Sequence, residues 1–362
     1  MHLAGWSTAR PAARRRPAPL RWALPLCTFV ALALPACGSG GGAPRQEGAY
    51  GRAAAYSSLP AYRGSAWADA LQQEQNQYLS TLRESPVGGF ESGDATGRFL
   101  NVRDGVRTSA TALCDCPEVR LWLTGGSAAF GLGQRDDHTI ASELTRLAAT
   151  DGVALRVSNL GVPGRTLWNE YQDVERRLEQ DGERPPDLLL SYGGFNDAVG
   201  ALGSAAVGKL DPGDPNLLDN EDFARWGERG FAPPSPASPA EIATVTADRY
   251  RRAQDRFDTL AARHGVDVTY VFQPDALASP AQFRPVADVW TQVPARIAGQ
   301  VGAQLESVST ALDGSVLDLR HLLDADPPAF ADWAHSNEEG ARRVAAEIYR
   351  TIRPELLQRA GL

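Results

Sequence analysis

Val119-Arg120-Leu121-Trp122-Leu123-Thr124-Gly125-Gly126-Ser127-Ala128-Ala129-Phe130-Gly131 is a short apolar run that halts at two glycines and a serine. Its length and its glycine stop predict a buried strand, Val119–Thr124, followed by a sharp turn. The same rhythm continues downstream. Thr139–Ala149 places Ile140, Leu144 and Leu147 on one helical face, and Ala154–Asn159 reads as a strand. Leu167, Tyr171, Val174 and Leu178 mark a helix, and Asp187–Tyr192, with Leu188-Leu189-Leu190, a buried strand. Glu241–His264 is helical, Val266–Phe272 a strand, Val293–Leu312 helical and Val316–Leu319 a short strand; the last helix runs from about Glu338 to Leu357. Strands alternating with helices predict an α/β domain over 118–362, its parallel sheet covered on both faces. Residues 198–238 are rich in Gly, Pro and Asp and read as a long insertion.

Upstream of the quoted run the chain changes character. Arg14-Arg15-Arg16 and Arg21 precede an apolar stretch, Trp22 to Leu34, that is short for a bilayer span and fits the core of a secretory signal over 1–36. Leu34-Pro35-Ala36-Cys37 resembles the lipobox of bacterial lipoproteins, which implies lipid attachment at Cys37. The alternative is an ordinary secretory signal with a chance cysteine. Gly38-Ser39-Gly40-Gly41-Gly42 opens a flexible tether over 37–66. The expected location is therefore extracytoplasmic and membrane-anchored, or else secreted. Residues 67–117 read as a helical extension, led by Trp67, Leu71, Tyr78 and Leu82 at helical spacing.

The chain has 362 residues, 43% of them apolar and 22% charged, with a formal charge of −8. That is globular material rather than a disordered chain or a coiled coil. Five arginines and no acid fall in residues 1–36, so the remainder is more acidic still. Lys209 is the only lysine and the arginines are scattered, which argues against nucleic acid as a partner. Of the four cysteines, Cys27 lies in the signal and Cys37 at the lipobox. Cys114 and Cys116 stand two apart, either bridged or as two free thiols, and lack the spacing of a metal site. Oligomeric state is not legible.

In parallel sheets, functional groups gather beyond the carboxyl ends of the strands. The four ends here carry Gly125-Gly126-Ser127, then Asn159-Leu160-Gly161-Val162-Pro163-Gly164, then Gly193-Gly194-Phe195-Asn196-Asp197, and finally Asp332-Trp333-Ala334-His335. A serine hydroxyl is a weak nucleophile until a base takes its proton, and a histidine is that base. The histidine in turn needs a carboxylate to fix its tautomer, and Asp332 lies three residues before His335. The oxyanion of acyl transfer needs preorganised donors, which the backbone N–H groups of Ser127 and Gly164 and the Asn196 amide supply.

This set resembles the SGNH (GDSL-type) hydrolases over roughly 118–362, with four motif blocks in order. The resemblance implies a three-layer α/β/α sandwich with a flavodoxin-like parallel sheet. It also implies Ser127 as nucleophile, Asp332 and His335 as its partners, and Gly164 and Asn196 as oxyanion donors. Glu338-Glu339-Gly340 continues the D-x-x-H block in the expected way. The family's usual Asp before the nucleophile is Gly126 here, a departure expected to alter loop packing. Arg135-Asp136-Asp137-His138-Thr139-Ile140 is similar to a bacterial branch of the family. The general α/β-hydrolases fit less well, because Ala129 stands where their elbow has its second glycine and their Asp and His lie far apart.

The expected function is a cell-envelope serine esterase acting on a small-molecule, glycan or lipid ester, O-acetyl groups included, with no metal or organic cofactor. An O-acyltransferase built on the same residues, or a catalytically silent binding lipoprotein, are the alternatives. Around the site, Asp197 is expected to hold a loop and Trp333 to pack. Tyr192 and Phe195 either shape an acyl pocket or pack locally. His138 beside Asp136 and Asp137 reads as solvated loop rather than a metal site, and His264 and His321 as cap or surface residues.

Overall fold

The computed structural model describes residues 55–85, 89–111, 114–180, 182–213, 237–287, 295–312 and 314–362. The signal peptide, Cys37 and the Gly-rich start of the tether lie outside the described residues, as does most of the 198–238 segment.

The parallel core of the sheet is β6 (Glu118–Gly125), β7 (Ala154–Asn159), β8 (Leu188–Gly193), β9 (Asp267–Phe272) and β10 (Leu317–Asp318). In space they run β7-β6-β8-β9-β10, all parallel. Counted within that set the order is 2-1-3-4-5, that of a flavodoxin-like sheet. Three short strands, β3 (Ala95–Thr96), β4 (Asn101–Arg103) and β5 (Val106–Arg107), add to the β7 edge in antiparallel fashion. A separate antiparallel pair joins β1 (Arg83–Glu84) to β2 (Phe90–Glu91).

Alternation along β6 builds the two layers. Val119, Leu121 and Leu123 face α3 (Ile140–Thr150) and α9 (Glu338–Ala360), burying Ile140, Leu144, Val344 and Ile348. Trp122 points the other way, into a core shared with α4 (Leu167–Glu175), α5 (Phe195–Ala206), α6 (Pro239–Arg263) and α8 (Ala295–Ala311). The result is a three-layer α/β/α sandwich. Two further helices are α2 (Ser127–Phe130), a single turn, and α7 (Pro280–Ala287).

Three readings of the sequence need correcting. The tether does not reach residue 66. Tyr56, Leu59 and Tyr62 are buried against Ala68 and Ala331, with Tyr56 and Tyr62 stacked at 4.8 Å. Among its described residues the extension over 67–117 is α-helical only in α1 (Ala68–Leu79); its later part enters the sheet as β3–β5, so it belongs to the same core. The stretch from 198 is not irregular at first, since α5 runs to Ala206 despite Gly200 and Gly203. Its burial against α6 and α8 overrides the low helix propensity of glycine.

Candidate active site

Ser127 opens α2, directly after β6. Gly125 makes that turn at φ +148°, and a Cβ there would sit 2.2 Å from the Tyr192 carbonyl oxygen, so only glycine passes. Gly126 follows, and a Cβ on it would meet the Asn196 Nδ2 at 2.5 Å and the Arg165 carbonyl oxygen at 3.2 Å. An aspartate at position 126 would therefore displace the Asn196 amide.

His335 Nε2 lies 2.6 Å from Ser127 Oγ, and His335 Nδ1 lies 2.6 Å from Asp332 Oδ2. The other carboxylate oxygen, Oδ1, accepts the backbone N–H groups of Ala334 and His335 at 2.8 and 3.0 Å. Asp332 and His335 are buried, and Ser127 is half-buried at the rim. Burial pushes the Asp332 carboxyl up, but the His335 imidazole and the two N–H donors outweigh it and hold the group below the usual carboxylate range. An ionised Asp332 fixes Nδ1 of His335 as the protonated nitrogen and leaves Nε2 to accept from the serine.

The loop carrying this pair is fixed from several elements. Gln134 donates Nε2 to the Ser336 carbonyl at 3.0 Å, Gln273 to the Ala334 carbonyl at 2.9 Å, and Asn337 to the Ala61 carbonyl at 2.8 Å. Ala276 N–H donates to the Trp333 carbonyl at 2.8 Å. The Arg135 guanidinium clasps both oxygens of Glu338 at 2.6 and 2.8 Å and lies 4.2 Å over the Trp67 ring. Arg107, wholly buried, binds Asp136 and the carbonyls of Phe130, Gly131 and Gln134. Arg135 and Asp136 are thus structural ties around the serine turn.

On the opposite side, Gly164 takes φ +86°, a left-handed turn that needs glycine and brings the chain to Arg165 and Thr166. Asn196, at the start of α5, donates Nδ2 to the Arg165 carbonyl at 2.8 Å. A primary amide carries two N–H groups, so one remains to donate elsewhere. That amide lies beside Gly126, the residue before Ser127. Asp197 is buried and receives the Leu167 N–H through both oxygens at 3.3 and 3.4 Å, holding α5 to the start of α4. Burial, then the neighbouring Glu170, push its carboxyl up to about 8.

The remaining expectations resolve as packing. Trp333, Phe195 and Tyr192 are buried in core clusters, Tyr192 on the far face of the sheet. Cys114 and Cys116 are bridged, with Cα atoms 5.3 Å apart. His138 is half-buried and pairs with Glu143 at 3.5 Å, His321 with Asp324 at 2.9 Å, and His264 caps the end of α6. Among the described residues no three His, Cys, Asp or Glu side chains stand together as metal ligands. No described helix is long and apolar enough to cross a membrane.

Two polar residues escaped the sequence reading. Asn159, fully buried, donates Nδ2 to the Ala129 and Phe130 carbonyls and accepts the Gly161 N–H. Glu170, also buried, accepts the Thr124 and Ser191 hydroxyls. Its place in the helical period was the available signal: three after Leu167 and four before Val174, it falls on the apolar face.

No family model and no curated protein matches the chain. Among solved structures it is similar to a carbohydrate acetylesterase family member from Sinorhizobium meliloti, at 15% identity and TM-score 0.37 over 67% of this chain and 100% of that one. A lipolytic protein of the G-D-S-L family from Desulfitobacterium hafniense matches at 12% and 0.35, over 64% and 98%. The M. smegmatis aryl esterase matches at 13% and 0.38, over 65% and 99%. At these scores and identities the likenesses carry nothing forward, and the site is read from its own side chains.

Proposed function

We propose that the chain is a serine esterase that hydrolyses carboxylic esters through an acyl-enzyme. The observation that supports it most is the unbroken relay from Ser127 Oγ to His335 Nε2 and from Nδ1 to Asp332, both contacts at 2.6 Å. His335 takes the Ser127 proton as Oγ attacks the ester carbonyl. The tetrahedral oxyanion is held by the Ser127 and Gly164 N–H groups and the free N–H of Asn196. Collapse breaks the bond to the alkoxide, which takes the proton back from His335. Water, deprotonated by the same imidazole, then adds to the acyl-enzyme and releases the acid and the serine.

The sequence address extends the reading to the cell envelope, with lipid on Cys37 and ester-bearing glycans or lipids as substrates. Replacing Cys37 by Ser should release the protein from membranes and remove the acyl mass; membrane association that survives Cys37→Ser argues against the anchor.

The test of the activity is turnover of short- and medium-chain p-nitrophenyl esters by the full chain and by Ser127→Ala. A rate that needs Ser127 supports the esterase. A rate unchanged in Ser127→Ala contradicts it. Acetyl release that appears only with a sugar acceptor would assign transfer in place of hydrolysis.

A further inference from the structure

The groups assigned to the oxyanion come from three elements: the β6 end, the loop before α4 and the start of α5. Glu170 ties these elements together. Its Oε2 accepts Thr124 Oγ1 at 2.8 Å and Ser191 Oγ at 2.6 Å. Thr124 and Ser191 are register partners on β6 and β8, three residues before Ser127 and five before Asn196. Oε1 lies against the other strand-end backbone, 3.4 Å from where a Cβ of Gly193 would stand. Glu170 itself sits one turn into α4, whose entry carries Gly164 and the Arg165 carbonyl that receives Asn196. Asp197 closes the ring by taking the Leu167 N–H.

We propose that Glu170 is the positioning residue of the oxyanion side, its carboxyl fixing β6, β8 and α4 so that the Ser127, Gly164 and Asn196 donors converge. This deepens the esterase reading and rests on it. The carboxyl is a poor choice for stability alone. It is 2% exposed, its hydrogen-bond partners are neutral hydroxyls, and a second buried acid, Asp197, stands near it. An apolar side chain on this helix face would serve the core without the desolvation cost. What it would not do is hold two strand ends at one point, and oxyanion donors lose their effect when misplaced by about 1 Å.

The test compares Glu170→Ala and Glu170→Gln with wild type on a short p-nitrophenyl ester. Each rate is normalised to serine titrated by a phosphonate, and Ser127→Ala is run alongside. The expected result for Glu170→Ala is a kcat per titrated serine lower by about tenfold or more, with KM moving less than about threefold. Glu170→Gln keeps an acceptor oxygen for both hydroxyls and should recover most of the loss. Should Glu170→Ala not accumulate as folded protein, the double variant Thr124→Val, Ser191→Ala removes the donors instead and must show the same split. Unchanged kcat per titrated serine in these variants, with only less folded enzyme, makes the carboxyl purely structural and overturns the proposal. A wild-type rate in Ser127→Ala is the separate signature of a failed esterase reading.

Discussion

The segment Phe330–Asn337, which carries Asp332 and His335, is gripped by side-chain amides from Gln134 and Gln273, by its own Asn337 amide on the Ala61 carbonyl, and by the buried N-terminal tyrosines. The oxyanion side, by contrast, converges on two buried acids: Glu170, which accepts from two neutral hydroxyls, and Asp197, which accepts from the Leu167 backbone N–H. The first arrangement spreads its support over several neutral amide bonds beside the Arg135–Glu338 ion pair, so the loss of one neutral bond is tolerated. The second concentrates it in groups whose protonation responds to pH. Activity should therefore fail differently on the two sides.

The largest effect breaks the relay itself. Ser127→Ala should lower kcat by about 10⁶-fold and Asp332→Asn by about 10⁴-fold, both with KM little changed, in steady-state ester hydrolysis. A loss of less than tenfold in Asp332→Asn would mean His335 is oriented without it. On the other side, Asn196→Ala should cost about 10²- to 10³-fold in kcat, the usual effect of one oxyanion donor. Gly126→Asp, which restores the residue common in the resembled family, should approach that loss without exceeding it, because its Cβ takes the place of the Asn196 amide. Wild-type kcat in Gly126→Asp would show that the amide relaxes without leaving its target.

Stability against pH sharpens the contrast. Burial raises Glu170 from 4.5 to about 7, and raises Asp197, helped by Glu170, from 3.8 to about 8. Between the ordinary and the raised values the folded chain binds more protons than the unfolded one, so these groups make stability fall as pH climbs from roughly 4 to roughly 8. Asp332 has the opposite sign: its carboxyl is held low, and its contribution is lost as pH falls. Removing one titration by Glu170→Gln should thus raise Tm more at pH 8 than at pH 5. Parallel Tm–pH curves for the two proteins would contradict this. The smallest effect belongs to the redundant side. Tyr62→Phe deletes the 2.7 Å bond to the Gly133 carbonyl and should cost about 1 kcal/mol of stability, read by denaturant midpoint, with kcat within about twofold of wild type.

The parts legible in the sequence share one property: each carries a strong local signal at a strand end or just before a helix. Ser127, Gly164 and Asn196 follow apolar runs, the Asp332/His335 pair lies just before the last helix, and the structure brings Ser127, Asn196, Asp332 and His335 to one rim. The strands β3–β5 were illegible because two or three residues cannot show alternation. Arg107 on β5 carries no local sign of burial in the sequence, yet it is the wholly buried clasp of the serine turn. Likewise α5 carries glycines that argue against a helix, and only packing from distant α6 and α8 decides it. Glu170 was half legible: the period put it on the apolar face, but its partners Thr124 and Ser191 are neighbours only once β6 and β8 pair.

The most direct test of the account is covalent labelling of the full chain by a serine-directed phosphonate, read by intact mass and peptide mapping. The expected result is a single adduct on Ser127, formed at a rate that falls sharply in Asp332→Asn and absent in Ser127→Ala. No adduct on the wild-type chain, or one that persists in Ser127→Ala, would contradict it.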